Sequence, residues 1–293
     1  MKSCPFCPEP KYLGVTLDRS LTYHQHLEPL RKKLTLRGAL LRRLAGSGWS
    51  GGVTTLRIAT LALMHSTAEY CVPVWCRSAH TRLIDPTIND ALRIVTGCLR
   101  PTPADNLPIL AGIQPAERRL SEATLPLAHC SMEPGQLLHS ALTCPSSANA
   151  RRLKSRHPFA PTAQQLTHQF IWQQQHTCGA LGGSPMERGV GAGNPTRLHT
   201  FMPDTATHIL GMTLQRAVRV LLSRIRIRVG RFPSCLHKWG MASSAACECG
   251  AEEQTVDHVV LQCPIHRPPH GLHSLTVLDD DTIERLLNTC PKI

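Results

Sequence analysis

This sequence is short of aromatic residues and of acids. Only 4% of its 293 residues are Phe, Trp or Tyr, so a core must be built from Leu, Ala, Val and Ile. Asp and Glu number 20 against 32 Lys and Arg, a formal charge of +12. Most of the excess is arginine. That balance points to a polyanion as partner, with the backbone of RNA or DNA ahead of a merely soluble basic surface. No apolar run approaches the roughly 20 residues of a membrane span, so no membrane partner is expected. "MKSCPFCPEPK" has no apolar signal-peptide region. The expected location is therefore nuclear or cytoplasmic, not secreted. In that setting the thirteen cysteines read as reduced thiols or metal ligands, not disulfides.

Catalytic patterns are missing too. There is no phosphate loop, no nucleophile elbow and no HExxH. Asp279, Asp280 and Asp281 stand together, but they precede "TIERLLN". Asp281 with Glu284 there makes an N-terminal capping pattern, and a solvated helix start is the expectation. The scattered histidines have no carboxylate or serine partner that sequence alone assigns. No catalytic residue and no magnesium site are expected.

The chain does contain helical periodicity. "KYLGVTLD", residues 11–18, alternates and reads as one short strand. Residues 24–45 follow helical spacing, with Leu27, Leu30, Leu34 and Leu41 on one face. Arg31, Lys32, Arg42 and Arg43 fall on another face, open either to phosphates or simply to water. Glycines in "SGWSGG" break that helix. Further helices are expected over about 53–70, stopped by Pro73, and 86–95, ended by Gly97. A prolyl-rich irregular connection follows, and then a helix over about 116–129. Residues 144–200 are rich in Ser, Gly, Gln, Pro and His and read as a flexible linker.

Beyond the linker, "MTLQRAVRVLLSRIRIRV" is strongly basic. No acid stands between Asp204 and Glu248. That interval holds Arg216, Arg219, Arg224, Arg226, Arg228, Arg231 and Lys238, the best nucleic-acid patch in the chain. The alternative is a helix paired with acids elsewhere.

"CECGAEEQTVDHVVLQC", residues 247–263, lays out Cys-x-Cys, eight residues, His, four residues, Cys. Zinc prefers four N or S ligands in a tetrahedron. Cys247 and Cys249 reach one ion from a tight turn. If "HVVLQC" is helical, His258 and Cys263 close the site from a little over one turn apart. The set would then be a closed structural zinc site with no position for water; the alternative is a chance match in a chain with 13 Cys and 16 His. Cys235 and His266 are nearby substitutes. "CPFC", Cys4 to Cys7, has the spacing of a ligand pair but no second half.

Several stretches together resemble the C-terminal half of animal non-LTR, LINE-type retrotransposon reverse transcriptases. They are "KYLGVTLDRSLTYHQHL", "LRRLAGSGW", "STAEYCVPVW", "ALRIVTGCLRPTPADNLPILAGIQPAERR", "KWGMASSAACECGAEEQTVDHVVLQCP" and "LNTCPKI". The resemblance implies a mainly α fold with this layout: a palm-strand remnant over 1–22, a helical thumb-like domain over 23–143, the linker over 144–200, and a basic C-terminal segment over 201–293 with a zinc-knuckle-like module. It implies that "YLGV" matches the palm strand that helps hold the primer, with Tyr12, Leu13 and Gly14 as primer-grip-like residues. It also implies that Cys247, Cys249, His258 and Cys263 match the family's terminal Cys-Cys-His-Cys motif, implicated in holding template RNA or target DNA. The aspartates that hold two Mg²⁺ ions in such enzymes have no match here. The resulting expectation is a polymerase fragment that binds nucleic acid without polymerising, in possible contact with a polymerase palm or another retroelement protein. A protein-assembly module and a functionless relic are the alternatives.

Overall fold

The computed structural model describes residues 9–46, 51–76, 78–133 and 214–267, with a few isolated positions beyond them. The 144–200 stretch, "CPFC", Asp279, Asp280 and "LNTCPKI" lie outside the described residues. The chain is mainly α-helical and divides into two compact units.

The first unit begins with a hairpin, not with a single strand. β1 (Lys11–Tyr12) pairs antiparallel with β2 (Val15–Thr16), in the register Lys11↔Thr16 and Tyr12↔Val15. Leu13 and Gly14 between them both have positive φ, +44° and +83°. A two-residue turn with both central residues in that region matches the twist of the paired strands. The glycine in "YLGV" thus folds the expected strand back on itself. After it, the Asp18 carboxylate accepts the Thr22 N–H and O–H and the Tyr23 N–H, at 2.7–3.0 Å. These bonds hold a loop in which Leu21 and Tyr23 also take positive φ.

α1 (His24–Gly46) follows, and its leucine stripe behaves as the periodicity predicts: Leu27, Leu30, Leu34 and Leu41 are all buried. The stretch expected as one helix over 53–70 is α2 (Val53–Thr60), a π-helical turn (Leu61–His65) and the short α3 (Ser66–Ala68). A π turn leaves its carbonyls poorly matched to following amides. Here Leu63 O accepts the Arg37 guanidinium at 2.7 Å and the Thr67 hydroxyl at 3.1 Å. α4 (Val72–Trp75) packs against α7 (Ala116–Met132). The Trp75 ring is fully buried and its N–H donates to Tyr70 O at 3.0 Å.

The second unit takes its core from α2, the end of α5 (Asp85–Thr96), α6 (Asn106–Ala111) and α8 (Arg216–Ile227). The prolines of 101–115 predict an irregular stretch, but α6 forms within it. Leu92, Val95, Leu107, Leu110, Leu222 and Ile225 are among the buried side chains of this unit. Gly97 ends α5 at φ +72°, and Val220 of α8 stands where a side chain on Gly97 would project. Gly112, at φ +62°, ends α6.

The two helix ends explain the arginines. The last carbonyls of a helix lack intrahelical donors and carry the negative end of its dipole. Arg216 donates to Ile94 O at 2.8 Å and Arg224 to Gly97 O at 3.3 Å, both at the end of α5. Arg219 donates to Leu110 O at 2.8 Å, near the end of α6. Arg57 of α2 donates twice to Gly112 O, at 3.1 and 3.0 Å. The acid-free helix meets backbone carbonyls, a partner that no count of carboxylates foresees.

α9 (Pro233–Lys238) follows, and a second π turn (His258–Gln262) carries the last part of the unit. No helix among the described residues is long and apolar enough to cross a membrane.

Candidate metal centre and cationic surface

Cys247, Cys249, His258 and Cys263 converge, with one ligand atom from each lying within 4.8 Å of the others. Local backbone chemistry brings them there. Cys247 N donates to Ala251 O at 2.9 Å and Gly250 N to Cys247 O at 3.0 Å. Gly250, at φ +91°, reverses the chain, so both thiols of Cys-x-Cys face the same way. The other pair comes from the π turn. In an α-helix, residues five apart point about 140° away from each other, at 100° per residue. The i+5 bonding of a π turn brings them back towards one side. Cys263 N donates to His258 O at 2.7 Å, which is that bond. The expected helical run is therefore π, and this is what lets His258 and Cys263 share a ligand set.

The geometry suits a soft, four-coordinate ion. Zn–S bonds of about 2.3 Å in a tetrahedron set an S···S edge of about 3.8 Å. Cys247 Sγ and Cys263 Sγ are 3.8 Å apart. Cys249 Sγ lies 3.1 Å from His258 Nε2. Cys247 and Cys263 are buried, and all three cysteines are free thiols. Burial acts to raise the Cys247 pKa. Hydrogen bonds from Cys249 N–H and the Gln254 amide, with those from Cys249 and His258 side chains, outweigh it and lower the value to about 6. Cys249 is raised: the Ala251 backbone favours its thiolate, but burial and the neighbouring Cys247 and Cys263 thiols disfavour a second negative charge more. Two adjacent thiolates that resist ionising together are stabilised by a cation between them. Three sulfurs and one imidazole nitrogen, with no open side, fit structural zinc.

Gln254 belongs to this site, and no sequence motif points to it. Its side-chain amide donates to Cys247 Sγ at 3.3 Å. A glutamine seven residues from a ligand carries no spacing signature. Of the two possible substitutes, Cys235 points to Arg228 O at 3.9 Å and His266 faces Glu248 at 3.9 Å, and neither belongs to the four-residue cluster.

The cationic residues part company. In α1, Lys32, Arg42 and Arg43 are exposed, while Arg31 is held by Glu28 at 2.7 Å. In α8, Arg219 and Arg226 are each only 2% exposed. Burial lowers their pKa to about 10, so both stay protonated at neutral pH. Arg219 and Arg226 thus face the interior of their unit, while Arg216 and Arg224 are half-buried and donate to helix ends. Arg228, Arg231 and Lys238 are exposed, with Arg228 3.2 Å from Asp257. Tyr12 and Leu13 stand out at the hairpin tip, 68% and 71% exposed. The Tyr70 hydroxyl donates to Leu13 O at 2.8 Å.

One histidine acquires a carboxylate that sequence could not assign. His65 Nδ1 lies 3.4 Å from Glu69, which also accepts the Arg119 guanidinium at 2.5 and 3.1 Å. Burial acts to raise the Glu69 pKa, but His65 and Arg119 together hold it below the usual carboxylate range. Arg119 arrives from α7, fifty positions away in sequence.

Over 267 residues, 90% of its length, the chain is 25% identical to a retrovirus-related Pol polyprotein from the type-1 retrotransposable element R1 4 of Nasonia vitripennis. The chain is similar to a retrotransposon protein. The aligned part spans 62% of that polyprotein. No family model matches the chain, and no solved structure does.

Proposed function

We propose that this chain is a segment of a retroelement Pol protein that binds RNA or DNA through its backbone, does not itself polymerise, and is held at its C-terminal module by structural zinc. The observation that carries the reading is the convergence of Cys247, Cys249, His258 and Cys263 in a chain similar to a retrotransposon Pol polyprotein. The zinc would serve architecture, because its four positions are filled by side chains and none is left for water or substrate. It fastens the turn at Gly250 to the π turn, and this unit also carries Arg228, Arg231 and Lys238 on its surface.

Lys32, Arg42 and Arg43 on α1, and Arg228, Arg231 and Lys238 near the module, are the cations that meet phosphates. Tyr12, Leu13 and Gly14 offer an exposed hairpin tip suited to a nucleic-acid strand. Nothing in the sequence pairs two aspartates for magnesium, so the chain contributes binding and leaves nucleotide addition to other residues.

The test is anisotropy titration of labelled RNA and DNA against the zinc-loaded chain over a range of salt. Each neutralised phosphate adds about 0.9 to the log–log salt slope on duplex DNA and about 0.7 on single strands. A steep loss of affinity with salt, together with no primer extension in Mg²⁺ and dNTPs, is the expected result. A folded chain that binds neither polymer at low salt refutes the nucleic-acid reading.

A further inference from the structure

Gln254 has two sets of bonds that run in different directions. Its side-chain amide donates to Cys247 Sγ at 3.3 Å. Its backbone is used separately: its N donates to Ala245 O at 2.8 Å, and its O accepts the Ser234 hydroxyl at 2.8 Å and the Ser234 N–H at 3.5 Å. Ser234 lies in the first turn of α9 and is buried, near the fully buried Phe232. The backbone of Gln254 therefore seats α9, and its side chain faces the sulfur.

We propose that Gln254 is a positioning residue of the metal centre, donating an N–H···S hydrogen bond that orients Cys247 and sets the affinity for the metal. The inference rests on the zinc reading above. Its physical basis is general: groups that hydrogen-bond a ligand fix its orientation and tune its donor strength, and losing one typically lowers metal affinity by about 10–100-fold. Three features single out this residue. The amide reaches a sulfur that is itself buried, where solvent cannot replace the donor. A carboxamide supplies a donor without adding negative charge beside three sulfurs. The backbone bonds of Gln254 do not depend on its side chain, so the amide is free for this task.

The separation of the two roles makes the proposal testable without unfolding the unit. Gln254→Leu removes the donor and keeps the backbone bonds. Gln254→Glu keeps the shape but turns a donor into a repelling carboxylate. Ser234→Ala removes the hydroxyl bond that helps seat α9 and leaves the amide in place. Cobalt(II) is the probe, followed by zinc competition against a chelator of known affinity, all in the full chain.

The unmodified chain should bind one cobalt with the absorption of a tetrahedral sulfur-rich site. Gln254→Leu should keep that coordination, shift the sulfur-to-cobalt charge-transfer band, and weaken zinc binding by about 10-fold or more. Gln254→Glu should weaken it further, and Ser234→Ala should leave the band where it was. An unchanged band and affinity in Gln254→Leu overturn the proposal and leave the zinc reading intact. The same shift in Gln254→Leu and Ser234→Ala also overturns it, since a general loosening would then explain both. If the unmodified chain gives no tetrahedral spectrum, the zinc reading fails and the proposal fails with it.

Discussion

α1 and α8 are written in nearly the same alphabet, and the fold uses them in opposite ways. Both mix leucine or isoleucine with arginine, and neither carries an acid in its first turn. α1 buries its leucines and leaves Lys32, Arg42 and Arg43 in water. α8 buries most of its aliphatic residues and two of its four arginines, Arg219 and Arg226, as well. The difference lies in what each helix meets. Lys32, Arg42 and Arg43 of α1 are exposed, and water solvates them. Arg216, Arg219 and Arg224 of α8 face the ends of α5 and α6, where carbonyls at Ile94, Gly97 and Leu110 lack intrahelical donors. A guanidinium is planar, carries five donors and is more weakly hydrated than an ammonium, so it suits that position better than lysine would. A run of positive residues is thus no measure of a positive surface.

The comparison breaks most visibly at Gly97. Gly97→Ala adds a Cβ against Val220 at a positive φ, straining the end of α5 and displacing α8 together. A loss of about 3 kcal/mol is expected by denaturant titration, enough to expose the α8 arginines to solvent in part of the population. Next is Arg219. Arg219→Ala orphans Leu110 O and leaves a cavity, costing about 2–4 kcal/mol. Arg219→Met refills much of the volume without a buried charge but still leaves Leu110 O without this donor, and should cost about 1–2 kcal/mol, less than Arg219→Ala. Neither change should alter the salt slope of nucleic-acid binding, because Arg219 presents no surface. A reduced slope in Arg219→Met, with the fold kept, would show that the helix opens to phosphate.

A milder effect is expected where the chain enters α1. Asp18→Ala removes the acceptor for Thr22 and Tyr23 and should cost about 1 kcal/mol. Burial acts to raise the Asp18 pKa, but these hydrogen bonds outweigh it and hold the folded value below the ordinary 3.8. Its contribution is therefore present above the ordinary value and fades as pH falls through the lower folded one. The difference between Asp18→Ala and the original chain should close over that acidic range and stay constant at neutral pH. The smallest effect on stability is expected from Lys32→Ala with Arg43→Ala, within about 0.5 kcal/mol. That pair should still lower the salt slope, by up to roughly one for each of the two cations that meets a phosphate. An unchanged slope would remove α1 from the binding surface.

Legibility followed the range of the interactions. The leucine stripe of α1 was readable because helical period and burial are local matters, and Leu27, Leu30, Leu34 and Leu41 all went inside. The grouping of Cys247, Cys249, His258 and Cys263 was readable because their residue types and spacing suit one ion, and the four side chains converge. The hairpin was half readable: "YLGV" announced β structure, but the positive φ at Leu13 and Gly14 turned one strand into two. Nothing in "HVVLQC" announced a π turn, since an apolar run fits α and π winding alike. The pairing of His65 with Glu69 sits at helical spacing, but Arg119 joins it only through the packing of α4 and α7.

What the sequence determined by itself was composition with short-range consequence: a mainly helical chain with an aliphatic core, and four side chains able to ligate a metal within seventeen residues. Tertiary structure decided which cations are surface and which are struts. It also decided that Gln254 stands beside a thiol, and that one apolar turn winds wide enough to bring His258 and Cys263 together. The physical reason is that hydrophobic period and ligand identity belong to the residue. Burial of a charge, and the partner that satisfies it, depend on the ends of other helices that the chain reaches only after folding.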